Sequence, residues 1–199
     1  AFHMVGDGFR VHNFFPSQPE IGIDGMSPFF LMDYGSKWKV PPSNTPKGVG
    51  VHPHRGFETV TIAYHGKVAH NDSAGNSGVI GEGDVQWMTA GAGVLHKEYH
   101  EKKFSKKGGV FQMVQLWVNL PARFKMTQAK YQAIENKNMA KFLLDDGKSV
   151  VEIVAGEYKG LNGPAFTFSP MNMFNAKLIQ GGKADFNFHE IFNTGMLVI

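Results

Sequence analysis

Between Phe57 and Trp117, short runs of β-branched and aromatic residues are cut again and again by glycine. The run FETVTIAYHG, Phe57 to Gly66, sets Thr59, Val60, Thr61, Ile62 and Tyr64 in a strand that ends at a turn near His65-Gly66. KVAHND and the turn-rich SAGNSG follow, and then VIGEGDVQWMTAGAGVLHKEYH, in which Gly81-Glu82-Gly83-Asp84 and Gly91-Ala92-Gly93 mark tight turns between strands. GVFQMVQLWVNLP, Gly109 to Pro121, is almost wholly apolar and reads as a strand buried on both faces. Short strands separated by evenly placed turns predict an antiparallel sandwich or barrel and exclude a chain of βαβ units. The fold class is therefore all-β.

Helix signals are scarce. TQAKYQAIENKNMAKFL, Thr127 to Leu143, holds enough helix formers to predict one short connecting helix. Strand character resumes in VVEIVAGEY and again from AKLIQGGKADFNF to the end. The expected organisation is a first β-rich domain over 1–130, a linker with a short helix over 131–149, and a second, shorter β-rich region over 150–199. The last stretch, EIFNTGMLVI, reads as a strand without a turn or cap after it, so the second region is expected to be incomplete within this chain or completed by a partner.

Composition narrows the function. The chain of 199 residues has no cysteine, which removes thiolate nucleophiles, thiolate metal sites and disulfides, and fits a cytoplasmic setting. No stretch approaches the ~20 apolar residues of a membrane-spanning helix. The net charge is +3, with Lys102, Lys103, Lys106 and Lys107 as the one dense basic cluster. That cluster is expected to be a solvated loop, and direct nucleic-acid binding is not expected. The phosphate-cradling, dinucleotide-binding and serine-hydrolase motifs are absent.

The chemistry gathers at two short pairs. Residues i and i+2 of a strand share a face, so His52 and His54 in VHPHRG can aim two ring nitrogens at one point while Pro53 faces away. VLHKEYH repeats the device with His96 and Glu98. Three imidazoles and a carboxylate, without soft sulfur, suit divalent iron, manganese, nickel, copper or zinc, with two positions of an octahedral site left for water or substrate. Strand parity carried through Gly56 puts Glu58 on the same side as His52 and His54. Glu58 is thus a rival to Glu98 as the carboxylate ligand, or a group behind the ligands that orients a histidine; a bulge at Arg55-Gly56 would turn it away. His3, His12, His65, His70 and His189 have no partner at ligand spacing, and His100 has at most a place at the mouth of the site. In QWM, either Trp87 or the pair Gln86 and Met88 faces the interior, with packing the expected role of the apolar side.

Three segments, HPHRGFETVT, GDVQWMTAGAGVLHKE and QLWVNLP, closely resemble the pirin family of the cupin superfamily. MSPFFLMDYG resembles that family's approach to its first barrel, KMTQAKYQ its inter-domain stretch and SPMNMFNAKLIQGG the opening of its second barrel. The resemblance implies two double-stranded β-helix (cupin) barrels, the C-terminal one incomplete in this chain. It also implies one metal, usually Fe(II), in the first barrel, with His52, His54, His96 and Glu98 as its ligands. Glu58 is left to a supporting role. Ala92 stands where the family usually has Arg, Lys97 where it has a small residue, and Tyr99-His100 replaces its common Met-Pro, which puts the shape and charge of the mouth in question.

Two functions follow from the resemblance. One is a quercetinase-type dioxygenase that opens flavonols with O2, with Glu98 as general base toward the substrate hydroxyl. The other is a non-enzymatic module whose metal senses redox state and alters a surface read by a protein partner. The same four side chains serve both.

Overall fold

The computed structural model describes residues 1–199. In chain order the first strands are β1 (His3–Val5), β2 (Phe9–Phe15), β3 (Phe29–Val40), β4 (Gly48–His54), β5 (Phe57–His65), β6 (Val68–Asp72), β7 (Ser77–Ile80), β8 (Val85–Thr89) and β9 (Val94–His100). One helix, α1 (Lys102–Lys107), precedes β10 (Gly109–Asn119) and β11 (Lys130–Ile134). The rest are β12 (Ala140–Leu143), β13 (Val150–Ala155), β14 (Glu157–Tyr158), β15 (Leu161–Asn162) and β16 (Met173–Lys177). No helix is long and apolar enough to cross a membrane.

Every strand pair is antiparallel. A seven-stranded sheet, in the order β1-β2-β3-β10-β5-β8-β11, closes over a four-stranded sheet ordered β4-β9-β6-β7. Phe9, Val11, Val40, Ala63, Phe111 and Met113 from the large sheet pack with Val68 and Ile80 from the small one, which makes a shared interior. This is the all-β, cupin-type barrel expected from the sequence. The outer face of the large sheet is covered as well: Val60, Ile62, Val85, Trp87, Val118 and Ile134 pack against Val154, Ala155, Met171 and Met173 of the second β-region. Burial on both faces explains why β10 reads as a mostly apolar run. It also settles the QWM triplet, since Trp87 lies in this outer core while Gln86 and Met88 turn inward.

The helix expected over Thr127–Leu143 does not form. The segment is β11, a short 3-10 turn at Asn136–Asn138 and β12. The reason is tertiary. β8 offers a row of backbone groups that β11 pairs with from Lys130↔Thr89 to Ile134↔Val85, and Ile134 is buried in the outer core, which outweighs the small per-residue energies behind the helix preference of Gln, Ala and Lys. So the segment set down as linker begins as an edge strand of the first sheet.

The helix sits instead in the lysine cluster set down as a loop. The Glu101 carboxylate caps it, accepting hydrogen bonds from the backbone N–H of Lys103 and of Phe104, each at 2.9 Å. Lys106 and Lys107 lie in its last turn, where cations suit the helix dipole, and Phe104 packs onto the interior beside Phe111.

Candidate metal centre

β4 and β9 lie side by side in the small sheet, with His52 opposite His96 and His54 opposite Val94. An irregularity in the pairing between Val49 and His52 lets the chain bend at the mouth of the barrel. The same-face argument then delivers its result. The rings of His52, His54 and His96 have centroids 4.5–4.9 Å apart, and one ring nitrogen from each lies within 4.8 Å of the others. Glu98, one step further along β9, brings Oε2 to 3.9 Å from His96 Nε2.

His52, His54 and Glu98 are each held by neighbouring groups. His52 Nδ1 is 2.7 Å from the Gly50 carbonyl oxygen; as the N–H donor there, it leaves Nε2 free to face the cluster. His54 packs edge-on against Phe57 and Trp117 at 5.0 and 5.4 Å. The Glu98 carboxylate accepts from Thr61 Oγ1 at 3.2 Å through Oε1 and from Gln115 Nε2 at 3.0 Å through Oε2. Gln115 also donates to Thr61 Oγ1 at 3.3 Å, so β5 and β10 support Glu98 together.

The electrostatics follow from burial. His96 is 1% exposed, and neither of its ring nitrogens has a hydrogen-bond partner. Desolvation, with the nearby His52 and His70 rings adding to it, holds the His96 imidazole down to about 3. Burial, then His96 and His52, does the same to His54, also about 3. Both rings are therefore neutral near pH 7, the form in which imidazole binds a metal. Burial pushes the Glu98 carboxyl up, against the lowering effect of its bonds from Gln115 and Thr61.

Of the residues singled out from the sequence, His52, His54 and His96 converge, and Glu98 lies beside them, its Oε2 3.9 Å from His96 Nε2. Glu58 does not. Gly56 takes φ +78, its N–H donates to the Gly91 carbonyl at 2.7 Å, and the chain crosses there from the small sheet to the large one. Strand parity is lost at that glycine. Glu58 turns to the outer face of β5 and accepts from Thr89 Oγ1 at 2.7 Å. His100 is not at the mouth either, being buried among Phe9, Phe104 and Phe111. Lys97 and Tyr99 lie on the outer face of β9, with the lysine Nζ over the Tyr99 ring, so neither departure from the family pattern alters the site's lining.

Three contributors escape a reading of the sequence. His70 lies opposite Glu98 in the β6–β9 pairing, buried and stacked on Tyr131 at 4.6 Å. Asp33 and Gln115 belong to β3 and β10 and reach the site only through sheet register. The site opens into a cavity of about 550 Å³, walled by Phe9, Val11, Leu31, Phe57, Met113 and Trp117, with Arg55 at its edge. A compact nitrogen and oxygen cluster at the base of an aromatic-lined cavity can hold a divalent cation and present it to a flat, largely apolar molecule.

The Pirin family profile matches residues 8–118. A Pseudomonas aeruginosa protein provisionally named quercetin 2,3-dioxygenase is 48% identical over 90% of this chain and 62% of its own length. A pirin-like protein of Solanum lycopersicum is 36% identical over 98% of the chain and 61% of its own. The crystal structure of an Acinetobacter baumannii quercetin 2,3-dioxygenase superposes with a TM-score of 0.85 at 54% identity, over 90% of this chain and 62% of that one. The chain thus spans about three-fifths of the length of these relatives.

Proposed function

The chain belongs to the Pirin family, and from that premise we propose that it is a metal-dependent dioxygenase that opens quercetin-like flavonols with O2. In this reading His52, His54, His96 and Glu98 hold one divalent metal, expected to be iron. The observation that carries it is His96, sealed from water with both ring nitrogens unpartnered, converging with His52 and His54, which line an aromatic-walled cavity. A buried imidazole nitrogen left without a partner costs stability, and a cation supplies that partner.

When bound, the metal supplies Lewis acidity toward the flavonol's 3-hydroxyl and 4-keto oxygens and redox chemistry toward dioxygen. The chain's own residues do the rest. Phe57 and Trp117, with ring centroids 4.8 Å apart, wall the site with flat apolar surface and exclude water. Thr61 and Gln115 fix the Glu98 carboxylate. Burial raises the proton affinity of Glu98, so an Oε2 that swings off the metal, on the histidine side, is placed to accept the proton of the substrate's 3-hydroxyl. A redox-sensing module would use the same four side chains, but it has no need of an open cavity of this size, which favours a small-molecule substrate.

Oxygen uptake by Fe(II)-reconstituted protein with quercetin, with His54→Ala alongside, tests the proposal. Uptake coupled to flavonol loss and abolished in the variant supports it. A demonstrably metal-loaded chain that consumes neither refutes the flavonol assignment.

A further inference from the structure

The inner face of the large sheet carries one polar row across five strands. In register these are Asn13 on β2, Asp33 on β3, Gln115 on β10, Thr61 on β5 and Gln86 on β8. Gln115 and Thr61 serve Glu98, as described above. Asp33 does not. It is 7% exposed, it lines the cavity, and it is the only carboxylate of the lining outside the histidine–Glu98 cluster. Beyond its in-register partners Asn13 and Gln115, that wall is apolar: Leu31 two residues away on β3, Val11 on β2, and Met113 and Trp117 on β10.

A carboxylate buried in such a wall needs a reason. Asp33 Oδ1 accepts from Asn13 Nδ2 at 2.7 Å. Asn13 is itself fixed, because its own oxygen accepts from the Ser17 backbone N–H at 3.0 Å and from the Ser17 hydroxyl. Asp33 is thereby held from behind by one oxygen, and Oδ2 makes no hydrogen bond within the chain. Burial pushes the Asp33 carboxyl up, against the lowering effects of the Asn13 hydrogen bond and of His3. Gln115, its partner in register, has its amide nitrogen committed to Glu98 and Thr61, so it stands between Asp33 and Glu98.

We propose that Asp33 Oδ2 accepts a hydrogen bond from a phenolic hydroxyl of the substrate, at the end remote from the oxygens that face the metal site, and so selects hydroxylated aromatic substrates over unsubstituted ones. This rests on the flavonol reading above and deepens it. A flavonol is rigid and flat. Once its 3-hydroxyl and 4-keto oxygens face the histidines, its remaining phenols lie at the far ends of its ring systems, where the Phe and Trp surfaces give no polar contact. Asp33 gives one, and Asn13 keeps that carboxylate aimed.

The test is equilibrium binding without oxygen, on protein loaded with redox-inert zinc, using quercetin and 3-hydroxyflavone. Both probes carry the 3-hydroxyl and 4-keto pair, and only quercetin carries the remote phenols. The expected result for Asp33→Asn is quercetin affinity about tenfold weaker or worse, with 3-hydroxyflavone affinity held within about twofold. Asn keeps the shape of Asp and can still accept from Asn13; Asp33→Ala, checked for an unchanged unfolding transition, should show the same split. Equal effects on both probes, or no effect on either, overturn the role of Asp33 while leaving the flavonol reading intact. If the wild-type protein, shown to hold zinc, binds neither probe, the flavonol reading itself fails and this inference with it.

Discussion

Replacing Gln115 by Leu removes the amide that donates to Glu98 Oε2 at 3.0 Å and to Thr61 Oγ1 at 3.3 Å, while keeping the apolar bulk of the side chain. Glu98 is 4% exposed, so little of its carboxylate is open to water in place of the lost donor. A hydrogen bond to an ionised group is worth about 1.5–3 kcal/mol. Loss of a group that orients a metal ligand weakens metal binding about 10- to 100-fold, which is about 1.4–2.7 kcal/mol. The two routes agree. Metal-free protein should suffer less, because a deprived Glu98 can take up a proton and shed its charge, whereas a ligating carboxylate cannot. The assay is competition for metal against a chromophoric chelator, paired with urea unfolding of the metal-free chain. Gln115→Leu should lose more free energy of metal binding than of folding. Metal affinity within about twofold of wild type would refute the claim that Gln115 supports a ligand.

Three further outcomes follow from the same geometry. Stability of the metal-free chain depends on pH through histidines held low: His54 and His96 at about 3 and His100 at about 4, against an ordinary 6.5. Between those values the unfolded chain binds more protons, so stability falls as pH falls, by up to about 1.4 kcal/mol per pH unit for each ring. Glu98 and Glu58, held above 4.5, act in the opposite sense only above that pH, so urea midpoints should drop most steeply between pH 4.5 and 3. Glu101→Ala removes the cap of α1 and should cost about 1 kcal/mol in urea unfolding, with metal affinity unchanged. Trp87→Ala, at a fully buried site between the large sheet and the second β-region, should cost about 3–5 kcal/mol in the same assay.

The centre was legible because its geometry is local. His52 with His54, and His96 with Glu98, each share a face within one strand, so alternation alone aims each pair, and only the pairing of β4 with β9 was needed to bring the pairs together. What escaped depended on register between strands far apart in the chain. Asp33, Gln115 and Thr61 form one row only because β3, β10 and β5 pair as they do, and His70 meets Glu98 only through the β6–β9 ladder. Glu58 was left open for a different reason: alternation holds inside a strand, and only the structure shows that Gly56 ends one strand and begins another in a different sheet, which turns Glu58 away. The helix was set in the wrong segment because helix preference is weak beside an open strand edge. The lysine run became helical once Glu101 could cap it and Phe104 could be buried.

The most direct test of the central claim is a crystal of the metal-loaded chain, with diffraction recorded at the absorption edge of the metal. The account predicts a single anomalous peak about 2.0–2.2 Å from one ring nitrogen each of His52, His54 and His96 and from a Glu98 oxygen. A peak at any other group of side chains, or a loaded chain with no peak between β4 and β9, would contradict it.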